Sequence, residues 1–179
     1  MENRGLVLVN TGSGKGKTTA SLGLALRAYG NGMKVNIVQF IKGSWKYGEL
    51  KGIERLAPEV QIHPMGNGFV FHKKDANEET IREHRKKAQK AWELIVKEMH
   101  SGKWDVMILD EINVAIHYGL LCADTVLEAL KQRPKELHVV LTGRYADQKL
   151  IDYADTVTEM VPVKHAYQQG IKAARGIEF

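Results

Sequence analysis

The sequence predicts an α/β fold in one domain over residues 1–179, a mainly parallel sheet with helices on both faces. Three observations predict it. Short apolar runs alternate with stretches of helical periodicity from end to end, a glycine-rich stretch joins the first run to the first helix, and a later run ends in two adjacent acids. Such alternation leads to parallel strands joined by crossover helices. No linker, repeat or low-complexity segment interrupts it, and 179 residues at 44% hydrophobic content suit one sizeable core.

The elements follow in order. Gly5 to Asn10 (GLVLVN) is a short apolar run fit for a buried parallel strand, and Ala20 to Ala28 reads as the first helix, ended by the turn at Asn31-Gly32. Lys34 to Phe40 is a second strand and Val60 to His63 a short third. Asn77-Glu-Glu opens a long helix with a capping side chain and an acidic first turn. Its stripe of Ile81, Arg85, Ala88, Trp92, Ile95 and Met99 has helical spacing, and Ser101-Gly102 stops it. Asp105 to Leu109 is the next strand, Ala123 to Gln132 a helix capped by Asp124, Leu137 to Thr142 a strand, and Asp155 to Glu159 the last strand.

Composition narrows the class. Lys and Arg number 26 against 21 Asp and Glu, a formal charge of +5, which suits a polyanionic ligand without separating a nucleotide from a nucleic acid. The cluster Lys73, Lys74, Arg82, Arg85, Lys86 and Lys87 fits the solvated face of one helix better than a polymer-binding patch. The single Cys122 excludes an intrachain disulfide and reads as a small packing residue. No apolar run approaches the ~20 residues of a membrane helix, and Met1 to Arg4 are too few and too polar for a signal peptide, so a cytoplasmic protein without membrane contact is expected. The seven histidines show no zinc-ligand spacing, and neither a G-x-S-x-G elbow nor a Cys-His motif offers a nucleophile.

The chemistry lies in the loops. Gly16-Lys17-Thr18 is the second half of a phosphate-binding loop, G-x-x-x-x-G-K-[ST], in which backbone N–H groups and a lysine hold phosphate oxygens and the hydroxyl holds magnesium. The first glycine of that pattern would stand at position 11, where the chain has Thr11; the nearest is Gly12. The candidate loop runs through Thr11, Gly12, Ser13, Gly14 and Lys15 to Gly16, Lys17, Thr18 and Thr19, and the helix start behind it favours an anion. Ligands on parallel sheets sit beyond the carboxyl ends of the strands. There, Asp110 and Glu111 end an apolar strand and fit a magnesium site with Thr18, although an acidic helix start reads the same way. Arg144, after Thr142-Gly143, is a candidate phosphate contact or a surface ion pair. Phe69 and Phe71, two residues apart after a glycine-rich approach, share a face if extended, either in a short core strand or in a surface loop covering a large apolar ligand.

These stretches together carry a resemblance. TGSGKGKTT (11–19), VQFIKG (38–43), GNGF (66–69), LDEIN (109–113), LTGR (141–144), VKHAY (163–167) and GIKAARGIE (170–178) are similar, in order and over nearly the whole chain, to the ATP:corrinoid adenosyltransferases that also act on cobyrinic acid a,c-diamide. The resemblance implies a RecA-like P-loop fold, usually a homodimer. It implies transfer of the 5′-deoxyadenosyl group of ATP to the cobalt of cob(I)alamin or a precursor corrinoid, with release of tripolyphosphate. Lys17, Lys15 and magnesium held by Thr18, Asp110 and Glu111 would stabilise the leaving triphosphate. Co(I) itself would be the nucleophile, and flavodoxin or reduced flavin the electron donor. An aromatic pair implicated in removing the lower cobalt ligand maps to Phe69 and Phe71, with phenylalanine at 71 where relatives often have tryptophan. Met1 to Arg4 are too short for the covering segment that relatives often carry before the first strand. A RecA-like ATPase acting on nucleic acid would use the same loop and charge, and would yield ADP and phosphate.

Overall fold

The computed structural model describes residues 4–43, 47–66, 68 and 78–178. Six strands, β1 (Val7–Thr11), β2 (Val35–Gln39), β3 (Val60–Pro64), β4 (Val106–Asp110), β5 (His138–Thr142) and β6 (Thr156–Glu159), form one sheet in the order β3-β2-β4-β5-β1-β6. Every pairing is parallel. The helices are α1 (Lys17–Gly30), α2 (Gly48–Glu54), α3 (Glu78–Met99), α4 (Ile112–His117), α5 (Ala123–Gln132) and α6 (Gln148–Tyr153), and a 3-10 turn covers Ala166–Gln169.

Strand order and chirality fix which face each helix covers. From β1 to β2 to β3 the chain steps toward one edge, and from β3 to β6 it steps back across. Right-handed crossovers then place α1 and α2 on one face and α3 to α6 on the other. The core follows the two-residue alternation of the strands. Val35, Ile37, Val106 and Ile108 pack with Ala25 of α1 and Ile53 of α2. Val38, Met107, Leu109 and Val139 pack with Trp92 and Ile95 of α3 and Leu130 of α5. Adjacent strands whose following helices leave to opposite faces, β1 beside β5 and β2 beside β4, open the carboxyl edge of the sheet where a ligand fits.

Several expectations change in detail. The buried stripe of α3 includes His84, whereas Arg85 is exposed and directs its guanidinium to the Gly119 carbonyl. Arg82, Lys86 and Lys87 are exposed on the same helix, as a solvated face requires. Asp124 does not cap α5: Cys122 holds the N-cap position, and Asp124 in the first turn accepts from Lys149 Nζ at 2.5 Å. Cys122 is exposed and is not a packing residue. The short helices α2, α4 and α6 add to the expected elements. Asn77, Lys73 and Lys74 lie outside the described residues. No helix among the described residues is long and apolar enough to cross a membrane.

Candidate functional site

The phosphate loop begins one residue later than the common pattern because β1 continues through Thr11. Thr11 is buried, pairs with Glu159 of β6, and its hydroxyl accepts the Ala146 N–H at 3.3 Å. The turn opens at Gly12 (φ 93) and closes at Gly16 (φ 121), conformations that a side chain disfavours. A second constraint comes from the chain leaving β6. A Cβ at Gly12 or Gly14 would stand 2.4 or 2.7 Å from the Met160 carbonyl oxygen, and that oxygen accepts the Gly14 N–H at 2.6 Å. Glycine is therefore needed here for a protein contact.

Gly16 is the N-cap of α1 and offers no side chain, so no capping oxygen occupies the N–H groups of the first turn. They remain available to an anion. Lys17, the first residue of α1, is buried, and its ammonium donates to the Gly12 and Gly14 carbonyls at 2.8 and 2.6 Å. Desolvation lowers its pKa; Glu111 opposes this, the Arg144 charge adds to it, and Asp110 opposes it. Ser13 and Thr19 are exposed on the loop and the first turn. Lys15 is drawn elsewhere, donating to Ile177 O at 2.8 Å and Glu178 Oε2 at 2.9 Å.

Across the intervening strand β5, the end of β4 delivers Asp110 to Thr18. Asp110 is 1% exposed, and its Oδ1 accepts from the hydroxyls of Thr18 and Thr142, both at 2.8 Å. Its Oδ2 accepts from Gln39 Nε2 at 3.0 Å. Because the carboxylate is an acceptor only, the Gln39 amide must turn its nitrogen toward it, which leaves the buried Oε1 without a partner. Glu111, the N-cap of α4, adopts a left-handed backbone (φ 65) and binds Thr142 Oγ1 through its N–H at 2.9 Å. Burial, then the charge of Asp110, pushes its carboxyl up to about 7, against Lys17, Lys42 and Arg144. Its Oε2 lies where a Cβ of Gly143 would stand only 3.2 Å away. Asn113 donates to the Gly143 carbonyl at 3.2 Å, and its Oδ1 is a second buried acceptor without a partner.

This oxygen-only set fits magnesium. Thr18, Asp110 and Glu111 would supply a hydroxyl and two carboxylates to a cation that keeps several waters, and the unpartnered Gln39 Oε1 and Asn113 Oδ1 could accept from such waters. Among the described residues no cluster of three or more His, Cys, Asp or Glu forms a metal cage by itself, so phosphate oxygens would have to complete the shell. Arg144 is exposed at the end of β5, and its charge reaches Lys17 and Glu111. Next to it Tyr145, also left-handed (φ 63), stacks on His117 with centroids 4.1 Å apart. Phe69 and Phe71 lie outside the described residues. Gly68, just before them, donates its N–H to Ile41 O at 2.9 Å, which ties the approach to the exit of β2.

Gln39, Thr142, Asn113 and Met160 belong to the site without having been singled out from the sequence. The signal for Gln39 and Thr142 was a polar residue closing an apolar strand.

A strand, glycine loop and helix, faced by an acid-ended strand two places away in a parallel sheet, define a P-loop nucleotide-binding protein of the α/β class. The comparisons narrow that class. The family model of ATP:corrinoid adenosyltransferase BtuR/CobO/CobP matches residues 3–179, and the chain belongs to this family of transferases. The chain is 43% identical over 178 residues to a corrinoid adenosyltransferase of Pseudomonas aeruginosa, covering 99% of this chain and 85% of that one. It is 38% identical to the corrinoid adenosyltransferase of Escherichia coli strain K12 and to corrinoid adenosyltransferase CobA of Salmonella typhimurium, in each case over 99% of this chain and 87% of the relative. A KaiC-like protein, PH0186, from Pyrococcus horikoshii OT3 is a distant likeness, with a TM-score of 0.46 at 15% identity over 87% of this chain and 73% of that one.

Proposed function

We propose that the protein transfers the 5′-deoxyadenosyl group of ATP to the cobalt of cob(I)alamin or cob(I)yrinic acid a,c-diamide and releases tripolyphosphate, in adenosylcobalamin biosynthesis or salvage. The observation that supports this most is the gathering, at one sheet edge, of a phosphate loop with free helix N–H groups and an oxygen set around Asp110 suited to magnesium, in a member of that family. Co(I) donates an electron pair to C5′, the C5′–O bond breaks, and its electrons leave with the triphosphate. The protein then has no proton to abstract, and its task is to orient the chain and neutralise charge. Lys17 and the loop N–H groups bind phosphate oxygens, with Thr11 to Thr19 as the surrounding loop and Arg144 adding charge from β5. Magnesium, held by Thr18, Asp110 and Glu111, would supply further charge stabilisation to the leaving group.

Phe69 and Phe71 are proposed to exclude water and the displaced lower ligand from the corrinoid, easing reduction of cob(II) by flavodoxin or reduced flavin. A cytoplasmic homodimer completes the reading, and the molar mass by light scattering tests the dimer.

The decisive experiment incubates ATP and magnesium with chemically reduced cobalamin and analyses the products. Adenosylcobalamin with tripolyphosphate is expected. ADP with phosphate would instead favour an ATPase in which Glu111, beside Asp110, takes a proton from water; binding without products would mark a regulatory protein. For the aromatic pair, Phe69→Ala should leave ATP affinity intact and impair adenosylation from cob(II)alamin more than from supplied cob(I)alamin. Equal losses with both cobalt states would end that assignment.

A further inference from the structure

The segment that follows β6 meets the phosphate loop twice. Met160 accepts the Gly14 N–H as the chain leaves the sheet, and after the 3-10 turn at Ala166–Gln169 the chain comes back to place Ile177 O and Glu178 Oε2 on Lys15 Nζ. Between these anchors it has little packing: Val163 is 97% and Tyr167 82% exposed, and every residue from 166 to 178 is exposed. The return therefore depends heavily on its contact with one lysine of the loop.

That contact places an acid beside a site read as binding an anion. An ammonium has three N–H donors, and two of them are taken by the carbonyl and the carboxylate. A bound triphosphate needs Lys15 as a cation, and a carboxylate held 2.9 Å from that cation both cancels its charge and repels the incoming phosphates. The Lys15 and Glu178 side chains are 39% and 27% exposed, so the pair is weak enough to exchange. We propose that Glu178 is a built-in counter-ion that occupies Lys15 in the nucleotide-free protein and yields it to the triphosphate, which frees the 171–178 stretch. Glu178 is thus a positioning residue. After the reaction, its return would compete with tripolyphosphate for Lys15 and aid product release. The inference rests on reading the loop as the triphosphate site.

The test is titration calorimetry of the full chain with ATP and with tripolyphosphate. Glu178→Gln should tighten both about 2- to 5-fold, the scale of an exposed ion pair. The gain should vanish in a Lys15→Ala background, where Glu178 has no lysine to occupy; a merely structural role would not show this dependence. Trypsin supplies an independent readout, since tripolyphosphate should speed cleavage after Lys172 and Arg175. Unchanged or weaker binding by Glu178→Gln, an equal gain in Lys15→Ala, or cleavage indifferent to tripolyphosphate would overturn the inference while leaving the loop assignment standing. If the unmodified chain binds neither ATP nor tripolyphosphate, the loop reading falls and this inference with it.

Discussion

The end of β4 and the segment after β6 both bring a carboxylate to the phosphate loop, in opposite settings. Asp110 is 1% exposed and takes donors from three elements, Thr18 of α1, Gln39 of β2 and Thr142 of β5. Glu178 lies at the surface on a single lysine. Hydrogen bonds to a buried charge are strong and their loss leaves donors stranded, whereas an exposed ion pair is worth about 0–1 kcal/mol and is screened by salt. One carboxylate is built into the fold, and the other is held loosely enough to be exchanged.

Asp110→Ala should have the largest effect. It strands the buried Thr142 hydroxyl and Gln39 amide and frees the half-buried Thr18 hydroxyl, so a stability loss of about 3–5 kcal/mol in urea unfolding is expected, together with loss of magnesium-dependent ATP binding. A loss no larger than that of a surface substitution would erase the contrast. Glu111→Gln comes next and acts through pH. The Glu111 carboxyl is raised from 4.5 to about 7, so in metal-free protein its protonated form is favoured by folding. The stability it contributes is fully present below pH 4.5 and is lost as pH rises through about 7. The Gln variant lacks this dependence and should exceed the unmodified protein above pH 7 by roughly 3 kcal/mol. Urea midpoints at pH 5 and pH 8 check it, and parallel slopes for both proteins would count against the buried carboxyl.

On the proposed reading Lys17→Ala would remove charge-assisted bonds to phosphate in both ground and transition states, so ATP affinity and turnover should fall together by about 10- to 100-fold. Unchanged values would remove Lys17 from the site. The smallest effect sharpens the comparison most: high salt should abolish the 2- to 5-fold difference of Glu178→Gln while leaving the cost of Asp110→Ala in place. Equal salt sensitivity would mean that the two carboxylates are held alike.

What the sequence disclosed follows the range of the interactions. The strands, α1, α3 and α5, the loop and the Asp110-Glu111 pair are local patterns of apolar period, glycine and charge, and they were legible. Helices α2, α4 and α6 have only six or seven residues, too short for a helical period to stand out. Gln39 enters the site because register pairs it with Asp110, and Thr142 because β5 is inserted between β1 and β4. Strand order decides both, and no single stretch of sequence encodes it. Asp124 read as a cap from its position at a helix start, yet the tertiary contact to Lys149 engages it instead. Lys15 reads as a phosphate ligand from its motif alone, and only the folded chain brings it to Glu178.

The place of β1 between β5 and β6 makes the loop depend on distant parts of the chain. Among the described strands, β1 pairs only with β5 and β6, the two furthest along the chain from it, and the Met160 carbonyl that braces the loop comes later still. The phosphate loop is braced by residues far along the chain from it. Contacts so distant in sequence form slowly. The shape of the loop therefore depends on long-range pairing, not on the residues that flank it in sequence.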